Sequence, residues 1–141
     1  RHPLFSSVED RIVLQPPVPA DELHQFLSAG DIGVVAIPPT PSQVYRTPVK
    51  SAHYWAAGLP IMVPAGVSDD HRIAVVEDAG IVVDDLRTVQ PAGLKEAIDR
   101  YMELDPEVRR DRCIKVAMKY RDTGMMVSLL RDLLTGRSDG A

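Results

Sequence analysis

The chain has 141 residues, of which 45% are hydrophobic and 26% are charged, as in an ordinary globular protein. A formal net charge of −4 argues against nucleic acid as a partner. The single cysteine, Cys113, excludes an internal disulfide and a thiolate metal cluster, and it fits a reducing, cytoplasmic location. No stretch approaches the roughly 18 apolar residues of a membrane-spanning helix.

This length predicts one domain, which we place at residues 1–135, followed by a disordered tail at 136–141. The first residue is Arg1 rather than Met, and we expect the chain to have been cut from a longer protein. A further domain of that protein would then hold part of any site.

Apolar runs alternate with helical segments along the chain. Strands are predicted at 11–15, 31–37, 61–64 and 80–84, of which the β-branched run at 31–37 is typical of a strand buried on both faces. Helices are predicted at 19–29, 47–58, 69–79, 91–103, 106–121 and 125–134. This alternation predicts an α/β fold, a three-layer, Rossmann-like parallel sheet flanked by helices.

The segment 47–60 reads as a complete helix with start and stop signals. Thr47 is predicted to cap its N-terminus, and Pro48 suits the first helical position because it has no N–H group to leave unpaired. Gly58 permits the left-handed conformation that ends helices, and Pro60 prevents continuation.

The loop before this helix is the first candidate site, because open α/β sheets bind ligands beyond the carboxyl ends of their strands. The N–H groups of Val49, Lys50 and Ser51 are expected to point at an anion, which the helix dipole favours. Arg46 and Lys50 could add positive charge. The alternative is that Thr47 and Pro48 only begin the helix and that Lys50 is simply solvated.

For each of the other polar side chains, a structural role is the alternative to ligand binding. His53, one turn after Val49, could bond a sugar hydroxyl or a phosphate, or it could pack beside Tyr54 and Trp55, which we expect to fill the helix–sheet interface. Adjacent residues at a helix start do not face one metal ion, so the sequence at 69–71 favours capping by Asp69 or Asp70. We find no nucleophile with an evident base, and no catalytic residue is predicted.

Three segments resemble, in order, the C-terminal half of glycosyltransferase family 4, whose members have the GT-B fold. Residues 18–34 look like the family's segment that ends in its "aDv" strand. Residues 47–63 look like its "(S/T)P-x-K-x-x-E-Y-x-A-x-G-L-P-V" helix and strand, and residues 65–69 together with residues 80–83 resemble its "pGv-D … G-i-v-v" part. The resemblance implies an incomplete donor domain of the GT-B fold, which binds a nucleotide-diphospho-sugar as substrate and needs no cofactor or metal.

The resemblance also implies roles for residues. The family often carries two glutamates, and their positions here are occupied by Tyr45 and His53. The implied diphosphate site consists of Arg46, Thr47, Pro48, Val49, Lys50 and Ser51, and the implied ribose and base site of His53, Pro16, Pro17 and Val18.

The implied whole protein transfers a sugar to a glycan or lipid acceptor, with a missing N-terminal acceptor domain and a peripheral position on the cytoplasmic membrane. The missing first strands of the donor domain predict a re-paired sheet or an exposed edge that another copy covers. The alternative is a catalytically inactive binding or assembly module, and a sugar-nucleotide epimerase is a weaker one. The apolar final helix needs a partner surface, and its large side chains are Val127, Leu129, Leu130, Leu133 and Leu134.

Overall fold

Three parallel strands form the sheet of the computed structural model, which describes residues 8–135. The strands are β1 (Gly33–Val34), β2 (Ile61–Pro64) and β3 (Gly80–Val83), paired in the order β1-β2-β3. The helices are α1 (Leu23–Leu27), α2 (Val49–Ala56), α3 (Asp70–Val76), α4 (Pro91–Met102), α5 (Pro106–Tyr120) and α6 (Thr123–Thr135). The tail predicted at 136–141 lies outside the described residues.

Both faces of the sheet are covered, because successive side chains of a strand point to opposite faces. On one face, Ile61 and Val63 of β2 pack in a cluster with α2, α3 and α5. On the other face, Met62 of β2 and Ile81 of β3 pack with α4. The α/β class is therefore confirmed, and the small parallel sheet is consistent with a Rossmann-like fold.

The end of α2 follows the sequence signals closely. Gly58 has a φ of +79°, and its N–H donates to the Trp55 carbonyl at 2.9 Å, while the N–H of Leu59 donates to the Tyr54 carbonyl at 2.8 Å. This pair of bonds is a Schellman motif. The start of α2 differs from the prediction, because Pro48 holds the N-cap position in an extended conformation and no side chain caps the helix. Thr47 is therefore not the cap.

The strand predicted at 11–15 is wrong. A short 3-10 turn covers Glu9–Arg11, and the residues after it form no strand. Val13 and Leu14 are 86% and 84% exposed. A strand requires a hydrogen-bonded neighbour, and this segment pairs with no strand of the three-stranded sheet in the described residues.

The elements around β1 are shorter than predicted. The helix predicted at 19–29 covers only Leu23–Leu27, and the strand predicted at 31–37 covers only Gly33–Val34. The N–H of Ile37 turns back to the Val35 carbonyl at 2.9 Å, which ends the extended run before the prolines that follow. The outer edge of β1 has no neighbouring strand within residues 8–135, and the Val34 side chain is 46% exposed.

The remaining elements agree with the prediction to within a few residues at each end. The largest of these differences is at the end of α3, which stops at Val76 and not near residue 79. Within the described ranges, no helix combines the length and apolar character that a membrane crossing requires.

Candidate functional site

The loop from β1 to α2 meets the turn after β2 at the carboxyl end of the sheet. The N–H of Ser68, in that turn, donates to the carbonyl of Gln43, in the loop, at 2.9 Å. Ser68 has a φ of +58°, a conformation that few non-glycine residues adopt. A cavity of about 190 Å³ lies at the same end, between Ile37 after β1 and Asp85 after β3. The loops after all three strands therefore converge, as expected where α/β sheets bind ligands.

Two backbone donors at the start of α2 are free. The N–H groups of Val49 and Lys50 have no hydrogen-bond partner among the described residues. The N–H of Ser51, which the sequence also assigned to the anion site, already donates to the Pro48 carbonyl at 3.1 Å. Pro48 and Ser51 are both buried, so they pack against the core at the start of the helix. Because the Ser51 N–H is already bonded, two N–H donors rather than three remain for an anion.

The polar side chains predicted for this site lie close to the free donors along the chain and face solvent. Arg46, Lys50 and His53 are all exposed, and Arg46 reaches the Gln43 side chain at 3.5 Å. Tyr45, at one of the two glutamate positions of the resemblance, is 90% exposed. Positive charge beside free N–H groups favours an anionic ligand.

The predicted base-binding segment is not tied to this site. Residues 16–18 lie in an irregular segment before α1, with Pro16 and Pro17 exposed and Val18 half-buried. No hydrogen bond of the described chain joins them to the residues at the start of α2. Their role is a prediction from the resemblance alone.

Asp69 holds the N-cap position of α3, one of the two residues predicted there, but its side chain makes no capping hydrogen bond. The N–H of Asp70 donates instead to the Ser68 hydroxyl at 3.3 Å. His71 donates from Nδ1 to the Ser68 carbonyl at 2.9 Å. Within residues 8–135, no group of three or more His, Cys, Asp or Glu side chains could hold a metal ion.

Asp70 forms a buried ion pair with a residue from the far end of the chain. Its side chain is fully buried, and its Oδ1 accepts from the Arg121 guanidinium at 2.5 Å. Arg121 also contacts Asp69 at 2.6 Å and lies over the Trp55 ring, 5.9 Å from the ring centroid. This cluster joins α2, α3 and the end of α5 directly behind the turn that carries Ser68.

The contacts with Arg121 change the pKa of the Asp69 carboxyl. Burial raises the pKa of Asp69, but hydrogen bonds from Arg121 and Ser68 outweigh burial and hold the pKa below its ordinary value of 3.8. Asp69 is therefore ionised in the folded chain at neutral pH, and it shares the Arg121 charge with Asp70.

Three residues of this region were not recognised from the sequence, Gln43, Ser68 and Arg121, and Asp70 was predicted only as a helix cap. The contacts of Gln43 with Ser68 and of Asp70 with Arg121 join residues far apart in sequence, which local patterns do not reveal. One available signal was the pair of aspartates at 69–70, since two acids at one helix start exceed what capping needs.

Comparison of the chain with protein-family models, with curated proteins and with solved structures gives no match. The function must therefore be inferred from the family-like sequence segments and from the geometry at the carboxyl end of the sheet.

Proposed function

We propose that this chain is the donor-binding half of a GT-B glycosyltransferase and that the start of α2 binds the diphosphate of a nucleotide-sugar. The observation that supports this most is the pair of free N–H groups of Val49 and Lys50, placed where the loops after the parallel strands converge. The resemblance of residues 47–63 to the family's helix and strand supports the same position.

The chemistry of such a site is electrostatic. A departing nucleoside diphosphate gains negative charge as the bond to the sugar breaks, and oriented donors and cations lower the energy of that state. Val49 and Lys50 would supply N–H donors, and the Lys50 and Arg46 side chains would supply charge, so the sugar transfer would proceed without a metal ion. The acceptor would bind to another part of the whole protein.

Removal of the Lys50 side chain tests this site. We expect Lys50→Ala to raise the dissociation constant of the preferred nucleotide or nucleotide-sugar by several-fold to about tenfold, because one charge-assisted contact is lost. Calorimetric titration with UDP-, GDP- and ADP-sugars measures affinity. NMR amide spectra would show the Val49 and Lys50 signals moving on titration.

The matched control is Lys95→Ala, which removes an exposed lysine of α4 and changes net charge equally. If both variants weaken nucleotide binding equally, the affinity depends only on the overall charge, and the assignment of the diphosphate site to the start of α2 is wrong. Nucleotide binding that leaves the Val49 and Lys50 amide signals unshifted would also contradict the proposal. A chain that binds none of the UDP-, GDP- and ADP-sugars would contradict it as well.

A glutamate at position 53 tests the ribose contact. A carboxylate accepts two hydrogen bonds from neighbouring hydroxyls, whereas a neutral imidazole accepts one. We therefore expect His53→Glu to tighten nucleotide binding by about threefold to tenfold. His24→Glu, on the exposed side of α1, adds the same charge elsewhere and should leave the affinity unchanged. Weaker binding by the His53 variant would argue against ribose at this position.

One observation favours a second candidate, a binding or assembly module without catalytic activity. The apolar side chains of α6 are 50–86% exposed, which is unusual for so many large residues on one helix. Such a module predicts no nucleotide affinity in the original chain and no gain from His53→Glu. The same titrations therefore separate the two functions.

A further inference from the structure

A cavity lined by two arginines lies at the opposite end of the sheet, where the strands begin. Its volume is about 160 Å³, several times the roughly 30 Å³ that one water molecule occupies in the liquid. The turn before β1, the turn before β2 and the first turns of α5 line it. The charged residues among its walls are Asp31, Arg109 and Arg110.

Arg109 is a buried cation that forms no ion pair with any of residues 8–135. Its residue is only 8% exposed, and its Nε has no hydrogen-bond partner within the same residues. The one bond that its guanidinium makes in the described part of the chain goes from Nη1 to the Met102 sulfur at 2.8 Å, and a thioether is a weak acceptor. Arginine does not lose its proton in proteins, so burial leaves a positive charge that needs compensation.

The titratable neighbours of Arg109 do not supply that compensation. Burial raises the pKa of the Cys113 thiol to about 12, and burial also raises the pKa of the Tyr101 phenol. Both groups are therefore neutral at physiological pH, even though the Arg109 charge opposes these shifts.

Arg110 adds a second guanidinium to the same cavity. Its Nη1 donates to the Ala57 carbonyl at 3.0 Å, which leaves further N–H donors of the fork unused by that bond. The side chain lies across Gly58, where a Cβ atom would stand 2.4 Å from the Arg110 Cγ. The two arginines face one carboxylate, Asp31, which is exposed and forms no ion pair with either within the described residues.

We propose that this cavity binds a small oxyanion, of the phosphate type, between Arg109 and Arg110. The anion neutralises the buried Arg109 charge and uses Nη donors of the two guanidiniums, rather than the enclosed Arg109 Nε, as arginine pairs do in phosphate sites. Asp31 opposes the anion from the rim and limits its affinity. The site is separate from the start of α2, and it does not depend on the function proposed above.

Inorganic phosphate is the probe. We expect phosphate to raise the midpoint of thermal unfolding more than sodium chloride of equal ionic strength, and to shift the Arg109 Nε–H signal in NMR spectra. Arg110→Gln should weaken phosphate binding by about tenfold, and Arg109→Met should abolish the response. Asp31→Asn should tighten binding by several-fold, because it removes the opposing charge. Arg72→Gln, on an exposed part of α3, is the matched control and should change nothing.

Three results would overturn the site. One is an equal effect of phosphate on the original chain and on Arg110→Gln, which would show a general salt effect. Another is the absence of any shift of the Arg109 Nε–H signal. The third is weaker phosphate binding by Asp31→Asn together with lower stability, which would show that Asp31 is the partner of Arg109. The Arg110 and Asp31 variants keep the test decisive if Arg109→Met does not fold.

Discussion

Arg121→Met is expected to lower the free energy of unfolding by about 3–5 kcal/mol, because it leaves the Asp70 carboxylate buried without a counter-charge. Asp70 is fully buried, and its Oδ2 has no hydrogen-bond partner in the described part of the unmodified chain. The methionine side chain has a comparable length, so the loss of packing over Trp55 is small beside the loss of charge. Urea unfolding followed by circular dichroism measures the change.

Two controls separate charge from packing. Arg87→Met removes an arginine whose ion pair with Asp85 lies at the surface, where the Arg87 side chain is 67% exposed, and it should change stability little. Adding Asp70→Asn to Arg121→Met removes the stranded charge and should recover a large part of the lost stability. If the double variant is no more stable than Arg121→Met alone, the buried charge is not the cause.

The difference in the free energy of unfolding between the original chain and Arg121→Met should become smaller in acid. The pKa of Asp69 is lowered in the folded state, so the unfolded chain binds more protons in the window below about pH 4. The contribution of Asp69 is therefore complete above its unfolded pKa and is lost as the pH falls through its folded pKa. The variant lacks the Arg121 interactions, and its stability should fall less over this window. A difference that grows in acid would contradict this account.

The sequence was most informative where local chemistry determines the structure. Gly58 and Pro60 marked the end of α2, and the β-branched run of β3 appeared as a strand at the predicted place. These features depend on neighbouring residues, on backbone conformation and on side-chain shape. The start of α2 was displaced by one residue because Pro48 adopts the extended N-cap conformation itself.

Long-range pairing accounts for what the sequence did not reveal. The apolar run at 11–15 has strand composition, but a strand forms only beside another strand, and this run pairs with none within residues 8–135, although the outer edge of β1 has no neighbour there. The aspartate at position 70 looks like a cap in the sequence, and only the approach of Arg121, 51 residues away, makes it part of a buried ion pair. The cavity of Arg109 likewise depends on three turns that meet at the amino end of the sheet.

The two ends of the sheet place basic groups in different environments. At the carboxyl end, Lys50 and Arg46 are exposed beside free N–H groups, an arrangement that suits a ligand that enters and leaves. At the amino end, Arg109 is buried, and an anion there would act as part of the structure. Mutations at the first site should therefore change affinity with little effect on stability, whereas those at the second should change both.

Trp55→Ala is expected to lower the free energy of unfolding by about 3–5 kcal/mol, as other large truncations in protein cores do. Trp55 is fully buried in the cluster that joins α2 to β2, and its Nε1–H donates to the Ala79 carbonyl at 3.0 Å. Alanine would leave a cavity and would remove one of the two hydrogen bonds that the Ala79 carbonyl accepts, the other coming from the Ile61 N–H at 3.3 Å. It would also remove the ring on which Arg121 lies.

Trp55→Phe separates these effects, because it keeps most of the ring and loses the N–H donor. We expect it to cost roughly 1–3 kcal/mol, clearly less than alanine. Circular dichroism is the suitable probe, since Trp55 is the single tryptophan and both variants remove its fluorescence. Because Arg121 contacts the ring, combining Trp55→Ala with Arg121→Met should cost less than the two single changes added together. Strict additivity would show that the ring and the guanidinium act independently, so that Trp55 stabilises the fold only through the core that it fills.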